Sequence, residues 1–259
     1  MYNIDVEAIL RYTLILLRIG GLLFTLPFFS ESVIPVRLRI VLSFVLAFCF
    51  FPIISDGWRF SRDYSVMNIF WCLLSELLVG MSLGYVAKLF FEGIVMAANL
   101  VGYQMGFGTA SLLLPGSDTE ISSFTALHRI VVMLVFLGLS FHYIFIHGIK
   151  MTFDYIPAGG FAFNLDFCAY LVKSTGMIFE IALQLAAPIL MALLFTMAAL
   201  GLIARTVPQV NVFVLSFPFS FFIGLSLYAI TLVYLPDWLS KFYKQTAIDF
   251  LGSIKSLVP

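Results

Sequence analysis

The sequence predicts an all-α membrane protein of kinked helices and helical hairpins joined by short loops. Three observations carry that prediction. The 259 residues are 62% hydrophobic and only 11% charged, against about 25% charged in soluble domains. Mean hydropathy is +1.07, so the chain lacks the polar surface a water-soluble monomer needs. The apolar residues fall into long runs separated by short connectors rich in charge, Gly and Pro, and Pro188 and Pro218 sit inside two of those runs, where a proline kinks a helix. Formal net charge is +0, which gives nothing for nucleic acid to bind.

The first apolar run, Ile9 to Phe29, is long enough to span a bilayer. Arg11 and Arg18 fall on one of its faces, and Pro27 ends it. Asp5 and Glu7 stand where a signal peptide carries basic residues, so the run is expected to be retained. A connector, Ser30 to Arg39, holds Pro35, Arg37 and Arg39, and a second, short run goes from Ile40 to Ile54 with Pro52 capping it. The hydrophilic stretch Ser55 to Ser65 reads as a solvent-exposed loop. The third run, Val66 to Phe91, contains Glu76, Lys88 and the GxxxG pair Gly80 and Gly84, which favours close helix packing. Glu92 follows Lys88 at the spacing that lets the two pair along a helix.

The stretch from Gly93 to Ile121 is the most distinctive. Ala98, Gly102 and Gly106 recur at four-residue spacing, which places them on one helix face. The pattern then breaks at Gly106 and Gly108, passes through the apolar run Leu112, Leu113, Leu114, and turns at Pro115 and Gly116. Ser117 and Glu120 have capping-box spacing, so a helix is expected from about Asp118 to Lys150. Three leucines beside glycines suit a segment that blocks or packs against something better than a solvent-facing turn. Thr152 to Asp166 reads as a loop. Two further runs follow, Met177 to Ile203 with Glu180, and Val210 to Leu235, separated by a tight turn at Arg205 to Gln209. The tail from Asp237 to Pro259 mixes charged and apolar residues as an interfacial helix does.

Charges inside apolar runs are costly and mark function or pairing. Arg11, Arg18, Glu76, Lys88, Glu92 and Glu180 qualify. No catalytic or nucleotide-binding motif is present, and His142 and His147 are spaced wrongly for a shared metal on one helix face. The three cysteines are scattered with no metal spacing, so no cofactor or metal and no catalytic residue is expected. Basic residues flank both ends of the second run, and the positive-inside rule therefore assigns no orientation.

Two stretches together resemble the FliR/SctT family, a membrane component of the flagellar and virulence type III secretion export gate. One is Asn99 to Phe107, with Gly102, Gln104, Met105, Gly106 and Phe107, followed by Pro115. The other is Pro208, Gln209, Asn211, Phe213 and Pro218, followed by Gly224. Pro35, Arg37 and Arg39 and the total length agree. The resemblance implies a single export-gate domain over residues 1–259, with N-terminal hairpins and a plug loop in 1–116 and C-terminal hairpins and tail in 117–259. It implies a non-enzymatic subunit of a helical hetero-oligomeric assembly with FliP-like and FliQ-like subunits and a FlhB-like one, through which unfolded protein substrates cross the bacterial inner membrane within the flagellar basal body. The assembly would rise out of the lipid plane. The loop Met105 to Pro115 would help plug the channel; many relatives carry an acidic residue where this chain has Leu114. The wording around Gln104 and Asn211 favours the flagellar branch. A secondary transporter using Glu76, Lys88 and Glu180 is the competing reading, and an intramembrane enzyme ranks last.

Overall fold

The computed structural model describes residues 6–26, 35–54, 65–107, 123–140, 142–157, 159, 165–207 and 212–255. Among them are seven helices and no strand. They are α1 (Val6–Thr25), α2 (Val36–Ile54), α3 (Val66–Met105), α4 (Ser123–Gly138), α5 (His142–Tyr155), α6 (Leu165–Thr206) and α7 (Val212–Lys255). Five are long and apolar enough to cross a membrane: α1, α2, α3, α6 over Cys168–Thr206 and α7 over Leu215–Phe242. The chain is an all-α, multi-pass membrane protein.

The helices outrun the apolar runs that announce them. α2 begins at Val36, ahead of Ile40, because Pro35 supplies a carbonyl to the amides of Leu38 and Arg39 and its own missing N–H falls where no helical partner exists. Pro52 lies inside its last turn. α3 continues through Lys88 and Glu92 to Met105, and α6 and α7 have 42 and 44 residues. The tail from Asp237 to Lys255 is the C-terminal part of α7, which continues past Pro236. A straight helix of 40 residues is roughly 60 Å long, about twice the hydrocarbon thickness.

One expectation is corrected outright. The helix read as continuous to Lys150 is broken: α4 stops at Gly138 and Ser140 takes a positive φ of 57°, a left-handed conformation that ends a helix. α5 then restarts, with the Tyr143 amide bonded to the Ser140 carbonyl.

Two compact units form from discontinuous stretches. The first takes residues 1–89, 140–175 and 245–259, and the second 90–139 and 176–244. The core of the first joins Leu14, Ile15, Ile19, Leu22 and Leu23 of α1 to Ala47 and Phe50 of α2, Cys72, Val79 and Leu83 of α3, and Ile149 and Phe153 of α5. α2 turns one stripe inward, Arg39, Ser43, Ala47, Phe50 and Ile54, and leaves Val41, Phe44, Val45 and Phe48 exposed. An all-round apolar helix with such an outer face belongs against lipid or protein rather than water. α1 and α3 cross closely. A β-carbon on Gly80 would collide with the Arg18 carbonyl oxygen, lying 2.9 Å from its carbon and 3.0 Å from the Leu22 nitrogen, and one on Gly84 would strike the Thr25 hydroxyl.

In the second unit Ala97, Ala98, Val101 and Met105 of α3 pack with Phe124 of α4, Ala182, Ala186, Ile189 and Leu193 of α6, and Tyr228 of α7. Gly93 lets α3 approach α6, since a β-carbon there would sit 3.0 Å from Ile181 Cβ.

Candidate functional site

The second unit brings Met105 of one sequence signature against Gly224, which follows the other. α3 ends at Met105, and Gly106 has a φ of 96°, which a side chain would resist. The Gly106 amide bonds back to the Tyr103 carbonyl at 3.1 Å. Gly106 is therefore the turn that stops the helix and not the third member of a packing stripe; Ala98 and Gly102 are buried on the helix itself. Met105 is wholly buried. It lies against Gly224 of α7 so tightly that a β-carbon at Gly224 would be 2.7 Å from Met105 Cγ and 2.5 Å from Cε. The glycine of one signature is thus the seat for the methionine of the other.

The aromatic residues continue the junction. Phe107 stacks on Phe124 with centroids 5.8 Å apart and meets Phe221 at 5.7 Å. Phe124 meets the edge of Tyr228 at 4.8 Å. Two buried polar contacts fasten α4 to its neighbours: the Thr125 hydroxyl donates to Asn99 Oδ1 at 2.7 Å, and the His128 Nδ1 and Tyr228 hydroxyl lie 2.8 Å apart. Gln104 reaches Met197 Sδ from its Nε2 at 3.3 Å. Phe124, Thr125, His128, Phe221 and Tyr228 were not legible as site residues, because each is an ordinary aromatic or polar residue of an apolar helix until its partner is known. Gly108, Leu112, Leu113, Leu114, Pro115, Pro208, Gln209 and Asn211 lie outside the described residues, and Phe213 lies in α7 with its side chain outside them. Pro218 is exposed near the start of α7.

The charges inside the apolar runs differ in their surroundings. Arg18 and Glu76 are buried in the first unit, 1% and 0% exposed, with Arg18 Nε donating to Glu76 Oε2 at 2.5 Å. Arg18 Nη1 also donates to the Thr152 carbonyl at 2.9 Å and Nη2 to that of Ile156 at 3.3 Å. Its guanidinium carbon stands 4.4 Å from the Phe153 ring centroid. Glu76 Oε1 accepts the Gly159 amide at 2.9 Å. Lys88 and Glu92 are half-buried, and neither has an ion-pair partner among the described residues, so their expected pairing is not made. Glu180 is not a buried charge: it is exposed, and its Oε1 accepts from Gln184, one turn on, at 3.2 Å. The reason is that α6 turns Ile181 and Ala182 inward and so sends Glu180 outward. Arg11 sits 3.9 Å from Glu7 on α1. Among the described residues no three His, Cys, Asp or Glu gather as a metal site.

The junction can be set beside known proteins. The family profile described as "Bacterial export proteins, family 1" matches residues 9–246. The Flagellar biosynthetic protein FliR of Escherichia coli (strain K12) is 28% identical over 246 residues, covering 94% of this chain and 92% of that one. Its namesake in Bacillus subtilis (strain 168) is 29% identical over 219 residues, 83% of each chain. That of Aquifex aeolicus (strain VF5) is 27% identical over 243 residues, 92% of each. With a family match that runs through both signatures and all seven helices, the chain belongs to family 1 of the bacterial export proteins, the FliR family.

Proposed function

We propose that this chain is a non-enzymatic subunit of the flagellar type III protein export gate in the bacterial inner membrane. It acts as one export-gate domain beside FliP-like, FliQ-like and FlhB-like subunits and forms part of the path for unfolded substrates. The relatives' names support a place in flagellar biosynthesis, and the family's description supports protein export. The three longest helices, at 40 to 44 residues, exceed what a bilayer needs and fit an assembly that rises out of the lipid.

The observation that carries the finer reading is the junction of Met105, Gly106, Phe107, Phe124 and Gly224. It brings Phe107 and Phe124, which flank the stretch containing Leu112, Leu113 and Leu114 in sequence, into contact. The three leucines can close a passage to ions, because a narrow apolar constriction dewets. The segment is accordingly read as a plug. Replacing Leu112, Leu113 and Leu114 with serine should leave the complex assembled and raise ion conductance in cells that express it. The measurement is repeated with any seal from partner subunits removed; an assembled complex as tight as the wild type refutes the plug while leaving the export role standing.

A further inference from the structure

The Arg18 and Glu76 pair does more than neutralise two charges. The end of a helix presents carbonyl oxygens that can accept a further donor, and it carries a partial negative charge. α5 ends at Tyr155. Arg18 reaches from α1 to the Thr152 and Ile156 carbonyls at that end. Beyond it, Gly159 adopts a φ of 64° and points its amide at Glu76 of α3. The cation thus lies on the acceptor end of α5 and the anion on the donor that follows, and Arg18 Nε to Glu76 Oε2 closes the ring. Gly159 also covers Cys72, whose Sγ a β-carbon there would overlap.

We propose that Arg18 and Glu76 together form a C-terminal cap for α5, supplied by other helices, which locks residues 140–175 onto the α1/α3 crossing. The cap has a fixed polarity. The three acceptors are met by three different nitrogens of one rigid planar fork, a spread that the single ammonium nitrogen of lysine does not have. The Thr152 carbonyl also accepts the Ile156 amide at 2.9 Å, so Arg18 adds a second donor there from another helix, and Glu76 takes the Gly159 amide from a third.

Cys72 is wholly buried and serves as the reporter. The test uses the full chain in membranes of a host that supplies its partners, with Cys49 and Cys168 replaced by serine. A second version carries Cys72→Ala with Val132→Cys, a position 2% exposed in the second unit, to show whether the rest stays folded. Arg18→Lys keeps the charge beside Glu76 and removes the fork. It should speed maleimide labelling of Cys72 at least tenfold and leave the thiol at position 132 protected. The charge swap Arg18→Glu with Glu76→Arg preserves an ion pair and reverses the cap, setting carboxylate against carbonyls and guanidinium against the Gly159 amide. It should not restore protection. Labelling of Cys72 at the wild-type rate in either variant would mean an ordinary ion pair and overturn the cap. If Arg18→Lys also exposes position 132, the swap decides alone, with recovered protection overturning the proposal and its absence upholding it.

Discussion

Gly80→Ala tests the crossing of α1 and α3 where the geometry leaves least room. The added methyl would meet backbone atoms only: the Arg18 carbonyl, with its carbon at 2.9 Å, and the Leu22 nitrogen at 3.0 Å. No side-chain rotation relieves a clash with backbone, so the helices must separate. A gap of about 0.5–1 Å forfeits a quarter to a half of each dispersion contact along the seam, and overpacking of this kind costs about 1–3 kcal/mol. Alanine returns up to about 1 kcal/mol through helix propensity. The crossing also carries Arg18 itself, and shifting α1 draws it from Glu76; loss of one partner of a buried pair costs about 3–5 kcal/mol, of which a small displacement forfeits a part. The net expectation is about 2 kcal/mol of destabilisation, or a thermal midpoint lower by roughly 4–8 °C. Gly148→Ala and Gly201→Ala supply the controls, since a β-carbon at either meets nothing within 4 Å; they should be neutral or raise the midpoint slightly. The assay is size-exclusion recovery of the detergent-solubilised complex after graded heating. A Gly80→Ala midpoint that matches the controls would refute the reasoning.

Two further outcomes follow from the same geometry. Gly224→Val should lower complex recovery through its collision with buried Met105, and Met105→Ala in the same chain should restore part of it, leaving a cost below the sum of the single changes; strictly additive costs would show that the two residues do not press on one another. The chain expressed without partners should aggregate, because Phe48, Phe195, Phe222, Val233 and Tyr234 are each more than 65% exposed, and a long-lived monodisperse monomer in mild detergent would count against the assembly.

The class of fold was legible because composition excludes water as the surrounding solvent. Helix ends were less so. Apolar runs end where polar residues cluster, whereas a helix stops only where its backbone is turned, as Gly106 turns α3. For this reason α3, α6 and α7 are longer than the runs inside them, and the break at Ser140 falls among apolar residues with no charge or proline to mark it. Gly138 followed by Ser140 was the available signal. The two signatures could be read separately, but their meeting could not, because nothing local to Met105 names Gly224 as its seat.

Reading the charges apart from the glycines is what concealed the cap. A carboxylate within an apolar run can be turned outward, as Glu180 is, or brought to a partner inside the protein. Bringing it inside requires a second helix close enough for a short, desolvated bond, and that closeness requires a missing side chain nearby. Glu76 and Gly80 stand one turn apart on the same face of α3. Gly80 lies against the backbone of the very residue, Arg18, whose side chain Glu76 receives. The glycine sets the distance between the helices and the carboxylate uses it. Glu180 has no glycine at that spacing after it, since position 184 is glutamine, and it faces outward. An acid followed four residues later by glycine within an apolar helix is therefore a joint signal for a buried pair, more informative than either the charge or the GxxxG spacing read alone.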